Sequence, residues 1–192
     1  VMITGDNERT ARAIAKRLKT QHDFAAELWD TGDTQAQLVA ILVSSPKKYT
    51  AEQLESMLRA ARVPKVHDWL VSYILKKNPE AENRRIQWMT DPDEVVASAG
   101  WALTSHAVAK NASHLELDQL LDTIEAEMQH APAQLQWAMN ECLANIGIHH
   151  SEQRNRALDI GERLEVLKDY PTPPNCTSPF APAWINEMVS RQ

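Results

Sequence analysis

Tryptophans and cations are the side chains here whose chemistry stands out. Six tryptophans (Trp29, Trp69, Trp88, Trp101, Trp137 and Trp184) are spread over 192 residues. An indole face attracts cations and stacks on bases, so several together can line a nucleic-acid groove. Each also stands at a core-compatible position of its own helix, and packing is the ordinary role of any single one. Lys47, Lys48, Lys65, Lys76, Lys77, Arg84 and Arg85 supply cations for the same purpose. For any one of them the ordinary role is a solvated surface charge. The two kinds of residue meet in P-K-V-H-D-W-L-V-S-Y-I-L-K-K at 64–77, which carries Trp69 in its middle and Lys76-Lys77 at its end.

Other chemistries find no support. His149 and His150 are adjacent and point in different directions on a helix; His106 and His114 lie eight apart across a helix end. Cys142 and Cys176 are 34 apart, without metal spacing. No H-E-x-x-H, Gly-rich phosphate loop or G-x-S-x-G elbow is present. The chain is therefore read as needing no metal and no cofactor. With no visible secretory signal the cysteines are expected to be reduced thiols, which makes the two glycosylation sequons irrelevant. No apolar run approaches the roughly 18 residues of a membrane span. The expectation is a cytoplasmic monomer, nucleoid-associated if bacterial. The opening V-M-I-T-G has no initiator Met at position 1, which suggests residues missing upstream.

The elements that must position these residues read as helices throughout. Ala, Leu, Glu, Gln, Lys and Arg dominate, and β-branched runs are scarce. Residues 6–20 form a basic helix with Ala11, Ile14, Ala15 and Leu18 as its apolar stripe. His22 to Trp29 follows, with Phe24, Leu28 and Trp29 to bury, and Gly32 stops it. Asp33 caps a helix that is apolar almost all round, the mark of a central element. Ser44 to Lys48 is a loop with a basic tip, and Thr50 with Gln53 matches a capping box. Pro64 to Lys77 reads as one helix of about four turns. Asn78-Pro79 opens the helix holding Arg84, Arg85 and Trp88; Asp91-Pro92 opens the next, whose small residues Ala97, Ala99 and Gly100 allow close approach. Three more helices are read at 115–128, 135–148 and from a Ser151 cap to about 166. A proline-rich, extended connector at 169–175 precedes a last helix starting at Ser178-Pro179.

About eleven short helices and no convincing strand result. Helix pairs recur every 30–40 residues or so, the period of HEAT-like repeats. The fold class expected is all-α, an α-solenoid or superhelix of HEAT-like (ARM-type) repeats, with residues 1–192 as one domain. Net charge is −6, which argues against a non-specific nucleic-acid binder. Its distribution is uneven. Residues 1–90 hold 14 Lys+Arg against 11 Asp+Glu, net +3; residues 91–192 hold 6 against 15, net −9. An acidic protein can thus present one positive surface, although ordinary fluctuation between solvated faces accounts equally well for the asymmetry.

The chain resembles the AlkD-type DNA alkylation repair proteins, built of HEAT-like repeats. The resemblance is carried, in order, by A-K-R-L-K-T-Q-H-D-F-A-A-E-L-W at 15–29, V-H-D-W-L at 66–70, A-G-W-A-L-T at 99–104, W-A-M-N-E-C-L-A-N-I-G-I at 137–148 and N-C-T-S-P-F-A-P-A-W-I at 175–185. It covers nearly the whole chain. Family members often carry another N-terminal helix or two, consistent with a truncated start here. The resemblance implies duplex DNA as partner, alkylated or otherwise damaged, bound in a concave basic groove, and excision of N3- and N7-alkylated purines. It implies tryptophans against the deoxyribose, an Asp one turn beyond a Trp to stabilise positive charge on the sugar, and an Arg on a phosphate. Trp69 fits the Trp that precedes the Asp, but the position four residues on is Tyr73, and an ordinary phenol is not an anion at neutral pH. Asp68 is the adjacent carboxylate, about 100° round the helix. The expected Arg is not found, since 95–109 contains none. Trp69 and Asp68 are the catalytic candidates. Lys47, Lys48, Lys65, Tyr73, Lys76, Lys77, Arg84, Arg85 and Trp101 are the nucleic-acid-binding candidates. Two alternatives stand beside excision: a non-catalytic HEAT-repeat binder of damaged or branched DNA, and a protein-interaction solenoid.

Overall fold

In the computed structural model residues 5–192 are described, and the V-M-I-T opening lies outside them. Eleven α-helices and no strand occur among the described residues: α1 (Gly5–Leu18), α2 (His22–Asp30), α3 (Thr34–Val43), α4 (Ala51–Ala60), α5 (Pro64–Trp69), α6 (Pro79–Met89), α7 (Glu94–Lys110), α8 (Leu117–Glu127), α9 (Ala133–His149), α10 (Arg154–Leu164) and α11 (Ala181–Ser190). None of them is long and apolar enough to cross a membrane. Residues 1–84 and 85–192 form two compact units.

The first unit is built on α3. Asp33 caps it, its carboxylate accepting from the Ala36 N–H at 2.9 Å. Leu38, Val39, Ala40, Ile41 and Val43 are all buried. A helix that is apolar all round must be covered all round, and α1, α2, α5 and the turn after α5 pack against it. Each Leu or Ile buried there contributes about 1.5–3 kcal/mol. Two expected core residues stay out. Ile14 is 42% exposed and Phe24 37% exposed. On α1 the buried residue is Ala11 and Leu18 is half-buried. Seven residues bring Leu18 back to within about 20° of Ala11, whereas Ile14 falls about 60° to one side. On α2 the buried residue is Ala25, and Phe24 lies about 100° round from it.

The capping box of α4 has both arms. The Gln53 N–H donates to the Thr50 hydroxyl at 3.3 Å, and the Thr50 N–H donates to the Gln53 side chain at 2.9 Å. The 64–77 segment is not the single α-helix expected. After α5, residues Leu70–Ile74 form one wide π-helical turn, and Leu75–Lys77 tighten into a 3₁₀ turn. Such wide turns recur at functional sites in helices. This one starts directly after Trp69 and contains Tyr73. Asn78, 4% exposed, ends the segment and does three things. Its amide donates to the carbonyls of Pro46 at 2.7 Å and Tyr49 at 3.0 Å, and its side-chain oxygen accepts from the Glu80 N–H at 2.7 Å. It therefore fixes the 46–49 loop to the end of the 64–77 segment and caps α6.

In the second unit α7 and α9 are the central pair, with α8, α10 and α11 packed on α9. Leu121, Ile124, Met128, Leu143, Ile146 and Ile185 fill the core between them. The α7 cap is Asp93, whose carboxylate accepts from the Val95 N–H at 3.1 Å. Asp91, the cap expected from Asp91-Pro92, instead accepts from the Asp93 N–H at 2.8 Å and shapes the loop before it. Likewise α10 starts at Arg154, after a turn over 151–153, and stops where Glu165 turns left-handed at φ 54°. The 169–175 connector is not simply extended: the Cys176 N–H closes a turn onto the Pro173 carbonyl at 3.1 Å.

Gly100 shows how closely α7 is approached. A Cβ there would lie 2.4 Å from the Met89 backbone nitrogen and 2.7 Å from the Trp88 carbonyl carbon. Those are backbone atoms and cannot swing aside. Gly100→Ala therefore overpacks this contact by about 1–3 kcal/mol or more, against a helix-propensity gain of at most about 1 kcal/mol. A thermal melt should show Tm lower by several degrees, about 2–4 °C for each kcal/mol lost. Asn78→Ala removes three hydrogen bonds at a buried position and should cost about 2–3 kcal/mol by denaturant titration.

Candidate nucleic-acid interface

α3 packs against both α1 and α5, which lays the outward sides of those two helices next to each other. Trp69 is 5% exposed and meets Tyr73 edge to face, ring centroids 5.5 Å apart at 69°. The Arg12 guanidinium sits 4.9 Å from the Trp69 ring centroid and 5.7 Å from that of Tyr73. The Lys65 ammonium is 5.5 Å from the Trp69 ring, and the Lys77 ammonium 5.5 Å from the Tyr73 ring. Each aromatic thus carries two cations, held by attraction to the negative ring face. Arg12 also donates to the Tyr73 hydroxyl at 2.8 Å.

One carboxylate enters this cluster. Glu8 accepts from Arg12 at 2.9 Å and pairs with Lys65 at 3.0 Å. The hydrogen bond from Arg12, then that from Lys65, holds its carboxyl below the ordinary value of 4.5. Three cations and one anion leave a net positive charge. The cations keep an open side: the Arg12 side chain is 47% exposed and that of Lys65 is 37% exposed. Trp69 itself is covered, so its indole orients cations and does not present a free face. Open guanidinium and ammonium groups fixed on one surface suit phosphate oxygens, Arg by two parallel bonds and Lys as a point charge.

Of the residues singled out from sequence, Lys65, Trp69, Tyr73 and Lys77 come together here. Asp68 does not join them. Its side chain is 70% exposed, and the ring nitrogen Nδ1 of His67 lies 3.8 Å from its carboxylate. One residue from Trp69 on a helix is about 100° away, as the spacing predicts. Lys47 and Lys48 stand exposed on the 3₁₀ turn Pro46–Lys48. Lys76 is half-buried. Arg84 pairs with Glu52 at 3.3 Å.

Two candidates are corrected by burial. Trp101 is 2% exposed inside the core of the second unit, so it cannot touch a ligand. Arg85 is 4% exposed, and its guanidinium donates to the Thr104 hydroxyl at 3.0 Å. That hydroxyl donates in turn to the Gly100 carbonyl at 2.9 Å. Arg85 is a core cation, about 100° round α6 from Arg84. Trp137, another groove candidate, is 39% exposed and stands edge to face with Tyr170 at 5.1 Å. With Trp184 and three prolines of the 170–179 segment it lines an open apolar cavity of about 310 Å³. Among the described residues no group of three or more His, Cys, Asp or Glu is arranged to hold a metal ion.

The residues that sequence reasoning missed are Glu8 and Arg12. Their four-residue spacing marks them as a helical ion pair. Nothing in the spacing says that this pair docks on Trp69.

Comparison with known proteins agrees with the resemblance. Residues 3–185 match the family model described as DNA alkylation repair enzyme. An uncharacterized protein of Listeria innocua serovar 6a is 21% identical, the match covering 97% of this chain and 82% of that protein. An uncharacterized protein of Listeria monocytogenes serovar 1/2a is 20% identical with the same coverage. A solved structure matches with a TM-score of 0.76 at 23% identity, over 95% of this chain and 79% of the other. It is described as a new family of proteins related to the HEAT-like repeat DNA glycosylases with affinity for branched DNA structures. At that identity the likeness shows the fold, and the expected all-α, HEAT-like fold class is the one found.

Two outcomes follow from the geometry. Because the Glu8 carboxyl is held below 4.5, its pairs are intact at neutral pH and are lost as pH falls through that lowered value. Glu8→Gln should lower Tm by only about 1–3 °C at pH 7, given the exposure of the pairs. The difference from wild type should shrink as the pH is taken down through that lowered value in a melt series. Thr104→Val removes one acceptor of a buried guanidinium and should cost about 1–3 kcal/mol in the same assay.

Proposed function

We propose that this chain, which belongs to the DNA alkylation repair enzyme family, binds DNA by phosphate contacts through the Arg12–Lys65–Lys77 cluster and does not excise bases. The observation that carries this reading is the company Trp69 keeps. Excision of a cationic alkylpurine builds positive charge on the sugar, and an anion beside it lowers that barrier. At Trp69 the groups in place are two cations, Arg12 and Lys65, and the edge of Tyr73, whose own ring carries Lys77 and whose hydroxyl accepts from Arg12. They raise the energy of a sugar cation and lower that of a phosphate. Glu8 is committed to Arg12 and Lys65, and Asp68 faces away into solvent.

The DNA class we favour is branched duplex. A protein that grips phosphates from a rigid helical surface reads shape and carries little base information. The affinity for branched DNA described for the structurally similar protein supports this choice. Arg9, Lys16, Arg17, Lys47 and Lys48 are further exposed cations of the same unit. The unit has 13 Lys+Arg against 11 Asp+Glu, while residues 85–192 have 7 against 15. Binding is therefore placed on residues 1–84.

Base release from methylated duplex, measured beside anisotropy titrations with a four-way junction and a linear duplex, tests the proposal. The expected result is no release, tighter binding of the junction, and affinity that falls with salt by about 0.9 log unit per phosphate contact for each log unit of salt. Glu8→Gln removes the anion that competes for Arg12 and Lys65. One charge pair near the surface is worth about 1 kcal/mol, so affinity should rise about fivefold. Release of base that is abolished by Asp68→Asn would refute the non-excising reading. Unchanged or weaker binding by Glu8→Gln would refute the assignment of the cluster.

A further inference from the structure

The first unit also holds a cavity that the phosphate-binding reading does not use. It has a volume of about 400 Å³ and lies where the α2–α3 turn meets the α4–α5 turn. Trp29, half-buried, and Ala60 and Val63 give it apolar walls. Asp30 and Arg62 place one charge of each sign at its margin, and Ser56 adds a hydroxyl. Gly32 and Gln37 complete the lining.

Gln37 is the informative residue. It interrupts the apolar run 36–43 of α3 and is 7% exposed. Its backbone N–H is used in the helix, donating to the Asp33 carbonyl at 2.9 Å, and its side chain lines the cavity. Burying most of a carboxamide carries a desolvation cost. Leu or Met would fill the same volume without that cost. The exposure that remains to it opens on the cavity.

We infer that this cavity binds an unpaired nucleobase, adenine by preference. A carboxamide presents a donor and an acceptor side by side, which matches the amino group and ring nitrogen of adenine in one plane. The Trp29 indole supplies the stacking surface that a flat heteroaromatic ring requires. The volume suits one base with part of its sugar. Two sources share this chemistry: a base left unpaired in a branched or bulged strand, and a free nucleotide. The strand source rests on the DNA-binding reading above, and the free nucleotide does not.

The test uses the whole chain and four probes: AMP, a linear paired duplex, and the same duplex with a single bulged adenine or a single bulged thymine. Wild type and Gln37→Leu are titrated with each. The expected result is that bulged adenine binds roughly tenfold tighter than paired duplex, the lower range for stacking one base on an aromatic side chain. Gln37→Leu should erase the adenine-over-thymine difference, keep its affinity for paired duplex, and melt at or above the wild-type temperature. Trp29→Ala should lose the bulge preference altogether. AMP binding that Gln37→Leu abolishes, without any bulge preference, supports the site with the free nucleotide as its ligand. Wild type that binds neither AMP nor bulged adenine better than paired duplex overturns the inference. So does a bulge preference unchanged by both substitutions. Paired-duplex binding with its salt dependence is read in the same titrations, so failure of the base site is distinguishable from failure of the phosphate surface.

Discussion

The guanidinium of Arg12 is the group on which the candidate interface depends. It lies against Trp69 and Tyr73, donates to the Tyr73 hydroxyl and pairs with Glu8. A cation in that setting loses some water but gains two ring faces, a carboxylate and a phenol oxygen. Each contact is small by itself, about 0.5–1 kcal/mol for a cation on an aromatic at an exposed site. Together they hold a long side chain in one place. That matters for phosphate binding, because a pre-placed guanidinium loses less side-chain entropy when it engages an anion.

The arrangement is possible because α3 is apolar almost all round. α1 and α5 can both pack on it, and their polar sides then fall next to each other. α1 brings Glu8 and Arg12; α5 and the turn after it bring Lys65, Trp69, Tyr73 and Lys77. The wide turn at Leu70–Ile74 lies between the last Trp-bearing residue of α5 and the closing lysines. Asn78 then holds the end of that segment to the 46–49 loop. Local caps and one buried amide thus keep the aromatic platform rigid while the cations on it stay open to solvent.

Much of this was legible in the sequence. The Asp33 cap, the Thr50–Gln53 box and the apolar 38–43 run each produce the element they predict, because local hydrogen bonds and periodicity act within a few residues. The cap of α7 was misplaced by two residues, because Asp91 and Asp93 compete and the one nearer the helix wins. Arg84 and Arg85 could not be separated by type: one turns out to Glu52 and the other turns in to Thr104. Trp69 and Trp101 look alike in their segments, yet the first sits under cations and the second is sealed among apolar side chains. Docking of the Glu8–Arg12 pair on Trp69 spans about sixty residues, and no spacing rule reaches that far. The family resemblance drew attention to Trp69 and Tyr73, and the structure supplied what surrounds them.

The most direct measurement is the salt dependence of junction binding by wild type and Arg12→Met. If Arg12 on its aromatic platform holds a phosphate, the substitution lowers the slope of log affinity against log salt by about 0.9, the value for one released contact. A slope and an affinity equal to wild type, with the fold intact by circular dichroism, would contradict the claim that this cluster is the DNA-binding surface.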